Sequence, residues 1–569
     1  MPKQNYSIVL CGQAGQGVQT VEFLLTGIFK ESGLNVFSTK EYMSRVRGGM
    51  NSTELRIGTE PVRAYMNRID VLIALDKGAV EHLSKRIDEN TIVVTEKDFL
   101  PANFSHSHID ISFSKIASEV GNKLYSNTVA VGTAAGLFGI DVETVKQQVK
   151  KYFGRKGEEV IEKNIQAMQK GYEFGSDVVK NQKIDLSIVS SGKSSEQIVL
   201  NGGDAVSLGA IAGGCNFVSS YPMSPSTPVL VFLAQKAKEF GIVVEQAEDE
   251  IAAVNMAIGS WYAGGRAMAT TSGGGFALMT EGVSLAAMLE TPVVIHVAQR
   301  PGPATGLPTR TEQADLELVL YSGHGEFPRV IFAPGTLEEA FELTAKAFNI
   351  ADKYQIPVFI LTDQYFIDSN YNIPKLNAKA VKVDKYISKT QKDYQRYAFT
   401  KNGISPRGIP GYGEGLVIVD SDEHDTEGHI TEDLELRVKM VNKRLARQEE
   451  IIAEAFEPTV WPSKEYKNLV VCWGSTYHIV KEALESLGDK HTSMMHFSQV
   501  YPLHRDTLKY LKQARQVAVV ESNASGQLAK LIKLHTGFDI EKKILKYSGM
   551  SFCVEELADS FANLLGIGE

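Results

Sequence analysis

Five stretches of this chain combine residue types and spacings that can do chemistry. In Gly12-Gln-Ala-Gly15-Gln-Gly17-Val-Gln-Thr20 a glycine-rich turn leads from an apolar run into a helical pattern, and its free backbone amides could receive a phosphate or another anion. The spacing is not G-x-G-x-x-G and no acid ends the second strand as a ribose-binding residue would, so a tight packing turn explains it as well. Arg45-Val-Arg47-Gly48-Gly49 sets cations beside glycines, which suits an anion or a solvated loop. Ser219-Ser-Tyr221-Pro222-Met-Ser224-Pro-Ser-Thr-Pro228 is held extended by its prolines; its hydroxyls could donate to a carbonyl or carboxylate, or cap the next helix. Val244-Glu245-Gln-Ala-Glu248-Asp249-Glu250-Ile-Ala-Ala253 ends a strand in carboxylates and opens an alanine-rich helix, where acids ordinarily serve the dipole and the cap. Finally, Gln299-Arg300-Pro-Gly-Pro-Ala304-Thr305-Gly-Leu-Pro-Thr-Arg310 follows an apolar run, and an arginine at a strand end can grip a carboxylate through two parallel hydrogen bonds or join a structural ion pair.

One acid of the carboxylate cluster has a more specific alternative. Thiamine diphosphate is activated by a buried carboxylic acid bonded to one nitrogen of its aminopyrimidine, and the following turn, Thr270-Thr-Ser-Gly273-Gly274-Gly275-Phe276, lets a ligand approach the backbone closely.

The elements that must position these residues read as α/β. From residue 6 to about 175, apolar runs such as SIVLC, IDVLIAL and TIVVT alternate with helical patterns, which predicts a parallel sheet flanked by helices over 1–176. The polar, Ser-, Lys- and Gly-rich stretch 177–198 reads as a linker. It contains Gly192-Lys193-Ser194, but a P-loop needs a glycine five residues earlier, where Ser187 stands. Apolar runs at 242–245, 267–270, 292–298, 330–334 and 357–362 mark a second α/β domain, 199–367. Residues 368–463 form a turn-rich connecting region with a charged helical pattern near 431–456. A third α/β domain, 464–569, has LVVCW, MMHFS and QVAVVES as strands.

Composition narrows the function classes. A chain of 569 residues has room for several domains of roughly 100 to 200 residues. Its net charge of −9, with no basic stripe, argues against nucleic acid. No apolar run approaches the about 18 residues of a membrane span, and the N-terminal residues lack the pattern of a signal peptide, so a cytoplasmic protein is expected. Cys11, Cys215, Cys472 and Cys553 lie too far apart for a zinc or iron-sulfur motif, so any cluster must be on another chain. His424 and His429 sit in a polar, turn-rich loop and are assigned no metal.

Taken together the motifs resemble the 2-oxoacid:ferredoxin oxidoreductases. The second domain resembles the pyrimidine-binding domain of their alpha subunits through YPMSP (the family's YPITP) at Tyr221 to Pro225, EDEIAA, SGGG, QRPGPATGLPTRTEQADL and DEHDTEGHITED. The first resembles their gamma subunit through GQAGQGVQT and RVRGG. The third, with WGST at 473–476 and ESNASGQL at 521–528, resembles their transketolase-like C-terminal domain. The order gamma then alpha is typical of the 2-oxoglutarate type.

The resemblance implies that Glu250 is the acid bonded to the aminopyrimidine and that Arg300 holds the 1-carboxylate of the 2-oxoacid. It places Ser224, in the position of the motif's threonine, together with Tyr221 and Thr305 on the substrate, and Pro222, Gly274 and Gly275 beside the cofactor. Gly15, Gly17 and Arg45 are the candidates for coenzyme A. Ser224 and Met223 depart from YPITP; serine keeps the hydroxyl but loses the methyl that restricts its rotamer. No GDG followed by asparagine is found. In the family that signature, with Mg2+, the diphosphate and a [4Fe-4S] cluster, belongs to a beta subunit, so the active site is expected between chains, in an (αβ)2 assembly. The implied reaction is coenzyme-A-dependent oxidative decarboxylation of a 2-oxoacid, first of all 2-oxoglutarate to succinyl-CoA, with ferredoxin reduced, or the reverse carboxylation. The alternatives are pyruvate, a branched-chain or an aryl 2-oxoacid, and a non-catalytic assembly subunit.

Overall fold

A computed structural model of the chain describes residues 4–43, 49–182, 184–190 and 192–566. They form two compact units: residues 1–200 with 368–375 and 553–555, and residues 201–367 with 376–552 and 556–569.

The first unit is built on an eight-stranded sheet in the order β6-β5-β4-β1-β3-β2-β14-β7. Its strands are β1 (Asn5–Gln13), β2 (Asn35–Glu41), β3 (Met50–Gly58), β4 (Val71–Ala74), β5 (Ile92–Thr95), β6 (His108–Asp110), β7 (Ile198–Asn201) and β14 (Asn370–Ile373). β1, β4, β5 and β6 run parallel, as the alternation of strand and helix predicts. β3, however, lies antiparallel to both β1 and β2, so the sheet is mixed. Too few residues separate Glu41 from Met50 for the crossover of about a dozen or more that a parallel pair needs. The core lies against the helix Val18–Glu31 and a pair of helices, Ser126–Leu137 and Glu158–Gln182. Gly132, Gly136, Gly171 and Gly175 let this pair approach so closely that a Cβ on any of them would collide with the other helix's backbone. The second of the two helices therefore continues past 176 into the stretch read as a linker.

The second unit carries two sheets. One has the order β18-β12-β13-β11-β10-β8-β9, with β8 (Phe217–Ser220), β9 (Val243–Gln246), β10 (Ala267–Thr271), β11 (Val293–Gln299), β12 (Val330–Phe332), β13 (Pro357–Asp363) and β18 (Gln499–Tyr501). All pairings are parallel except that of β18 with β12. The five apolar runs of the sequence coincide with β9 to β13. The other sheet, β15-β17-β16-β19-β20, comprises β15 (Thr459–Trp461), β16 (Asn468–Trp473), β17 (Thr492–Phe497), β19 (Gln516–Glu521) and β20 (Lys542–Leu545). The two sheets share one compact unit because β18 adds to the edge of the first and because Gln313 is tied across. Its Nε2 donates to the Trp473 carbonyl at 2.9 Å, and its Oε1 accepts from the Ser522 N–H at 3.0 Å. The protein is thus a multidomain α/β chain, and among its described residues no helix is long and apolar enough to cross a membrane.

Candidate active site

The carboxylates at the end of β9 have separate fates. Glu245 and Glu248 are exposed. Asp249 is the N-cap of the helix Glu250–Tyr262, its side chain accepting the Ala252 N–H at 2.8 Å. Glu250 is only 3% exposed, yet its Oε1 has no hydrogen-bond partner. A buried polar atom without a partner loses its hydration and gains nothing within the protein, so it is an atom that a ligand or an ordered water can satisfy. The backbone around it is cut to fit. A Cβ on Gly275 would collide with Thr271 Oγ1 and stand 2.5 Å from Glu250 Oε1, and one on Gly273 would collide with the Asp315 carboxylate. Gly274 is exposed, and its nearest neighbour, the Ala304 carbonyl, would lie 3.6 Å from an added Cβ.

Ala304 belongs to the loop after β11 that begins with Arg300. The Arg300 Nη1 donates to the Ser224 carbonyl at 2.7 Å, which ties this loop to YPMSP. The Nε is buried without a partner. Burial lowers the guanidinium's affinity for its proton, and Asp315 partly restores it. Ser224 therefore meets Arg300 through its backbone oxygen, while its side chain remains exposed. The neighbouring hydroxyls close the loop: Ser219 Oγ donates to the Ala253 carbonyl, Ser220 Oγ to that of Thr270, and Ser226 Oγ to that of Met223, at 2.6, 2.6 and 2.7 Å. Tyr221 and Thr305 are exposed and Pro222 is half-buried.

Asp315 was not singled out in the sequence. An acid at a helix start reads as a cap, and Asp315 does occupy the N-cap of the short helix Leu316–Leu320, but its side chain makes no cap bond. Its N–H donates to Gln299 Oε1 at 3.0 Å, whereas its Oδ2 is buried without a partner. Burial pushes the carboxyl up to about 6, with Glu312 adding to the shift and Arg300 opposing it. The structure thus brings Glu250, the glycine turn 273–275, Arg300, Ser224 and Asp315 to one place.

The other motifs lie elsewhere. In the first unit Gly15 and Gly17 have φ of +90° and +81°, values that favour glycine, and Gly17 opens the helix Val18–Glu31 with no side-chain cap. They line a cleft of about 260 Å³ together with Gln13, Lys40, Glu41 and Asn51. Arg45 lies outside the described residues. In the second unit the ESNASGQL motif is scaffolding. Glu521, fully buried, accepts from Trp473 Nε1, Asn523 Nδ2 and the N–H groups of Leu528 and Ala529, at 2.9 to 3.2 Å. His424 is buried with its ring stacked on Tyr397, and the Asp425 carboxylate accepts the N–H groups of Glu427, Gly428 and His429, which makes this segment a tight turn.

The second unit thus sets an unpaired buried acid behind a glycine turn beside an arginine at a strand end, and the first carries a glycine-lined cleft, features suited to a cofactor and to anions. Residues 208–443 match the family model "Pyruvate flavodoxin/ferredoxin oxidoreductase, thiamine diP-bdg", and residues 7–174 match "Pyruvate ferredoxin/flavodoxin oxidoreductase". The 2-oxoacid:ferredoxin oxidoreductase subunit alpha of Sulfolobus sp is 30% identical over 627 residues, covering 99% of this chain and 97% of that one. The 2-oxoglutarate oxidoreductase subunit KorA of Mycobacterium tuberculosis is 26% identical, covering 97% and 90%. The solved 2-oxoglutarate:ferredoxin oxidoreductase from Magnetococcus marinus, with 2-oxoglutarate, coenzyme A and succinyl-CoA bound, superposes with a TM-score of 0.93 at 29% identity over 99% of both chains. The chain belongs to the 2-oxoacid:ferredoxin oxidoreductases, as a subunit of the alpha type.

Proposed function

We propose that this chain supplies the substrate arginine and the cofactor-activating acid for coenzyme-A-dependent oxidative decarboxylation of a 2-oxoacid, 2-oxoglutarate first among them, with ferredoxin as electron acceptor. The observation that carries the proposal is Glu250: a glutamate only 3% exposed, with an unpaired Oε1 held against Gly275, where a Cβ would collide with it. This arrangement fits the aminopyrimidine of thiamine diphosphate, since a carboxyl facing a ring nitrogen gains the hydrogen bond it lacks within the protein. When bound, thiamine diphosphate would supply a nucleophilic carbon and an electron sink for decarboxylation.

This chain's own residues bind, orient and hold protons. Glu250 holds the proton shared with the ring nitrogen. Gly274 and Gly275, with Pro222, would hold the cofactor beside that acid. Arg300 grips the 1-carboxylate with the guanidinium edge that Ser224 leaves free; Ser224 orients that edge through its carbonyl, and Tyr221 and Thr305 form the rim. The cleft at Gly15 and Gly17, with Arg45, takes the anionic end of coenzyme A; amides at an uncapped helix start suit a phosphate. A beta subunit supplies Mg2+, the diphosphate site and a [4Fe-4S] cluster, in an (αβ)2 assembly in the cytoplasm. Against the non-catalytic reading stands the same unpaired acid, which a subunit kept only for assembly would have no reason to retain.

The test is anaerobic co-expression with the candidate beta subunit, followed by coenzyme-A-dependent viologen reduction with 2-oxoglutarate, pyruvate and 2-oxoisovalerate. Activity with 2-oxoglutarate that is lost in Glu250→Gln supports reaction, substrate and acid together. Activity with another 2-oxoacid alone overturns the substrate, and a fully assembled, cofactor-loaded complex inert toward all three overturns the catalytic reading.

A further inference from the structure

Arg300 and Asp315 carry opposite charges close enough to act on each other, yet they form no direct ion pair. Each keeps a buried atom without a partner, Nε on the arginine and Oδ2 on the aspartate. Two such atoms of opposite character, beside the turn that also faces Glu250, are an unfinished pair whose bonds a ligand could complete rather than a finished salt bridge. Asp315 presses on Gly273 as Glu250 presses on Gly275. Two residues apart on a helical turn is about 200° of rotation, so the two acids approach that turn from different sides and cannot both serve one ring nitrogen. Asp315 is left to Arg300.

We propose that Asp315 is a positioning residue of the Arg300 anion site: it is the counter-charge of the guanidinium in the free protein and takes a proton from water when the carboxylate of a 2-oxoacid binds. The proposal rests on the reading of Arg300 as the carboxylate grip. A second carboxylate brought against an ionised Asp315 meets like charge in a partly desolvated place, which favours the protonated form. Once protonated, the acid ceases to compete for the guanidinium, which is then free to pair with the bound carboxylate. Asp315 sits on the borderline this requires, since burial already brings its ionisation near neutrality. The charged groups that act on Asp315 are Glu312 from its own segment, which adds to the shift, and Arg300 from the end of β11, which opposes it; Glu250 stands against Gly275 on another side of the turn, and Glu317 is already paired with Lys530 at 3.1 Å.

The sign of the pH dependence follows from linkage: a group that gains a proton on binding makes affinity fall as pH rises above its free ionisation. The complex with the beta subunit, loaded with thiamine diphosphate, is titrated by calorimetry at pH 6, 7 and 8 with N-oxalylglycine, an unreactive 2-oxoglutarate analogue, and with oxamate for a short-chain site. Two buffers of different ionisation enthalpy count the protons. The expected result is uptake approaching one proton per site at pH 7 and above, with affinity falling about tenfold per pH unit. In Asp315→Asn both the uptake and the pH dependence vanish, while Glu312→Gln keeps them. A wild-type complex that binds without taking up a proton overturns the proposal, as does uptake that persists in Asp315→Asn. Should Asp315→Asn fail to fold, the wild-type count beside Glu312→Gln still decides. Arg300→Met separates the two readings. If it binds as tightly as wild type, or if neither analogue binds the wild-type complex, the reading of Arg300 falls and this proposal with it. If it abolishes binding while wild type shows no uptake, only the role of Asp315 falls.

Discussion

Glu250 and Glu290 are both glutamates shut away from solvent within the same unit, at 3% and 0% exposure, and they have opposite surroundings. Glu290 is fully answered: Lys443 Nζ donates to its two oxygens at 2.7 and 2.8 Å, and Arg447 approaches at 3.2 Å. Burial works to raise its ionisation, but Arg447, Lys443 and Arg396 outweigh that and hold it down to about 2. It is a charged rivet, fixing the helix Leu434–Ala453 to the end of the short helix Thr280–Met288. Glu250 has an unpartnered oxygen and a glycine in front of it. Burial alone does not distinguish scaffold from site; whether the buried charge has found its partner within the chain does.

The largest single effect on turnover is expected at Glu250. Glu250→Gln should cost the assembled enzyme about 100-fold or more in kcat, the scale of a lost acid-base group, with no loss of thermal stability because no bond within the protein is removed; steady-state viologen reduction and a melting curve check both halves. Glu290→Gln should do the reverse. Stripping one partner from a buried ion cluster costs about 3–5 kcal/mol, so the melting temperature should drop while kcat per folded molecule holds.

A third kind of buried group sharpens the contrast. His296 is fully buried between Thr270 Oγ1 at 2.8 Å and Thr362 Oγ1 at 2.9 Å, and burial depresses its ionisation to about 3; His496 is likewise depressed, to about 4. The unfolded chain protonates these imidazoles near pH 6.5 while the folded chain does not, so their stabilisation is present above that value and is lost as pH falls toward the folded values. Each should contribute a slope of about 1.4 kcal/mol per pH unit between pH 6 and 4, seen as falling urea midpoints; a His496→Gln variant should lose one such increment. The smallest effect is expected in the glycine turn. Gly274→Ala meets only ordinary contacts and should leave stability within about 1 kcal/mol of wild type, whereas Gly275→Ala collides at Glu250 and should weaken thiamine diphosphate binding more, as a cofactor titration of the complex would register.

Much of the fold was legible because strands and helices announce themselves through near neighbours. The five apolar runs fall on β9 to β13, SIVLC and TIVVT on β1 and β5, and the charged pattern near 431–456 on the helix Leu434–Ala453. Less legible were β14 and β15, short strands inside the region read as a connection, and β18, whose pairing with β12 merges two expected domains into one unit. Three or four residues carry little periodicity; such strands exist because a sheet edge was there to receive them.

The amino-acid order alone supplied the alternation that makes the chain α/β and the motifs that resemble the family. Its own pattern offered four acids between Glu245 and Glu250 and no means of ranking them, and only the resemblance pointed to the last. The tertiary structure decided that Asp249 caps, that Glu250 stands buried and unanswered, that Ser224 serves Arg300 through its carbonyl, and that Asp315 belongs to the site at all. The reason is physical. A helix or strand is favoured by residues a few positions apart, but the state of a buried charge depends on what the fold brings to it, and the lysine that answers Glu290 lies 153 residues along the chain.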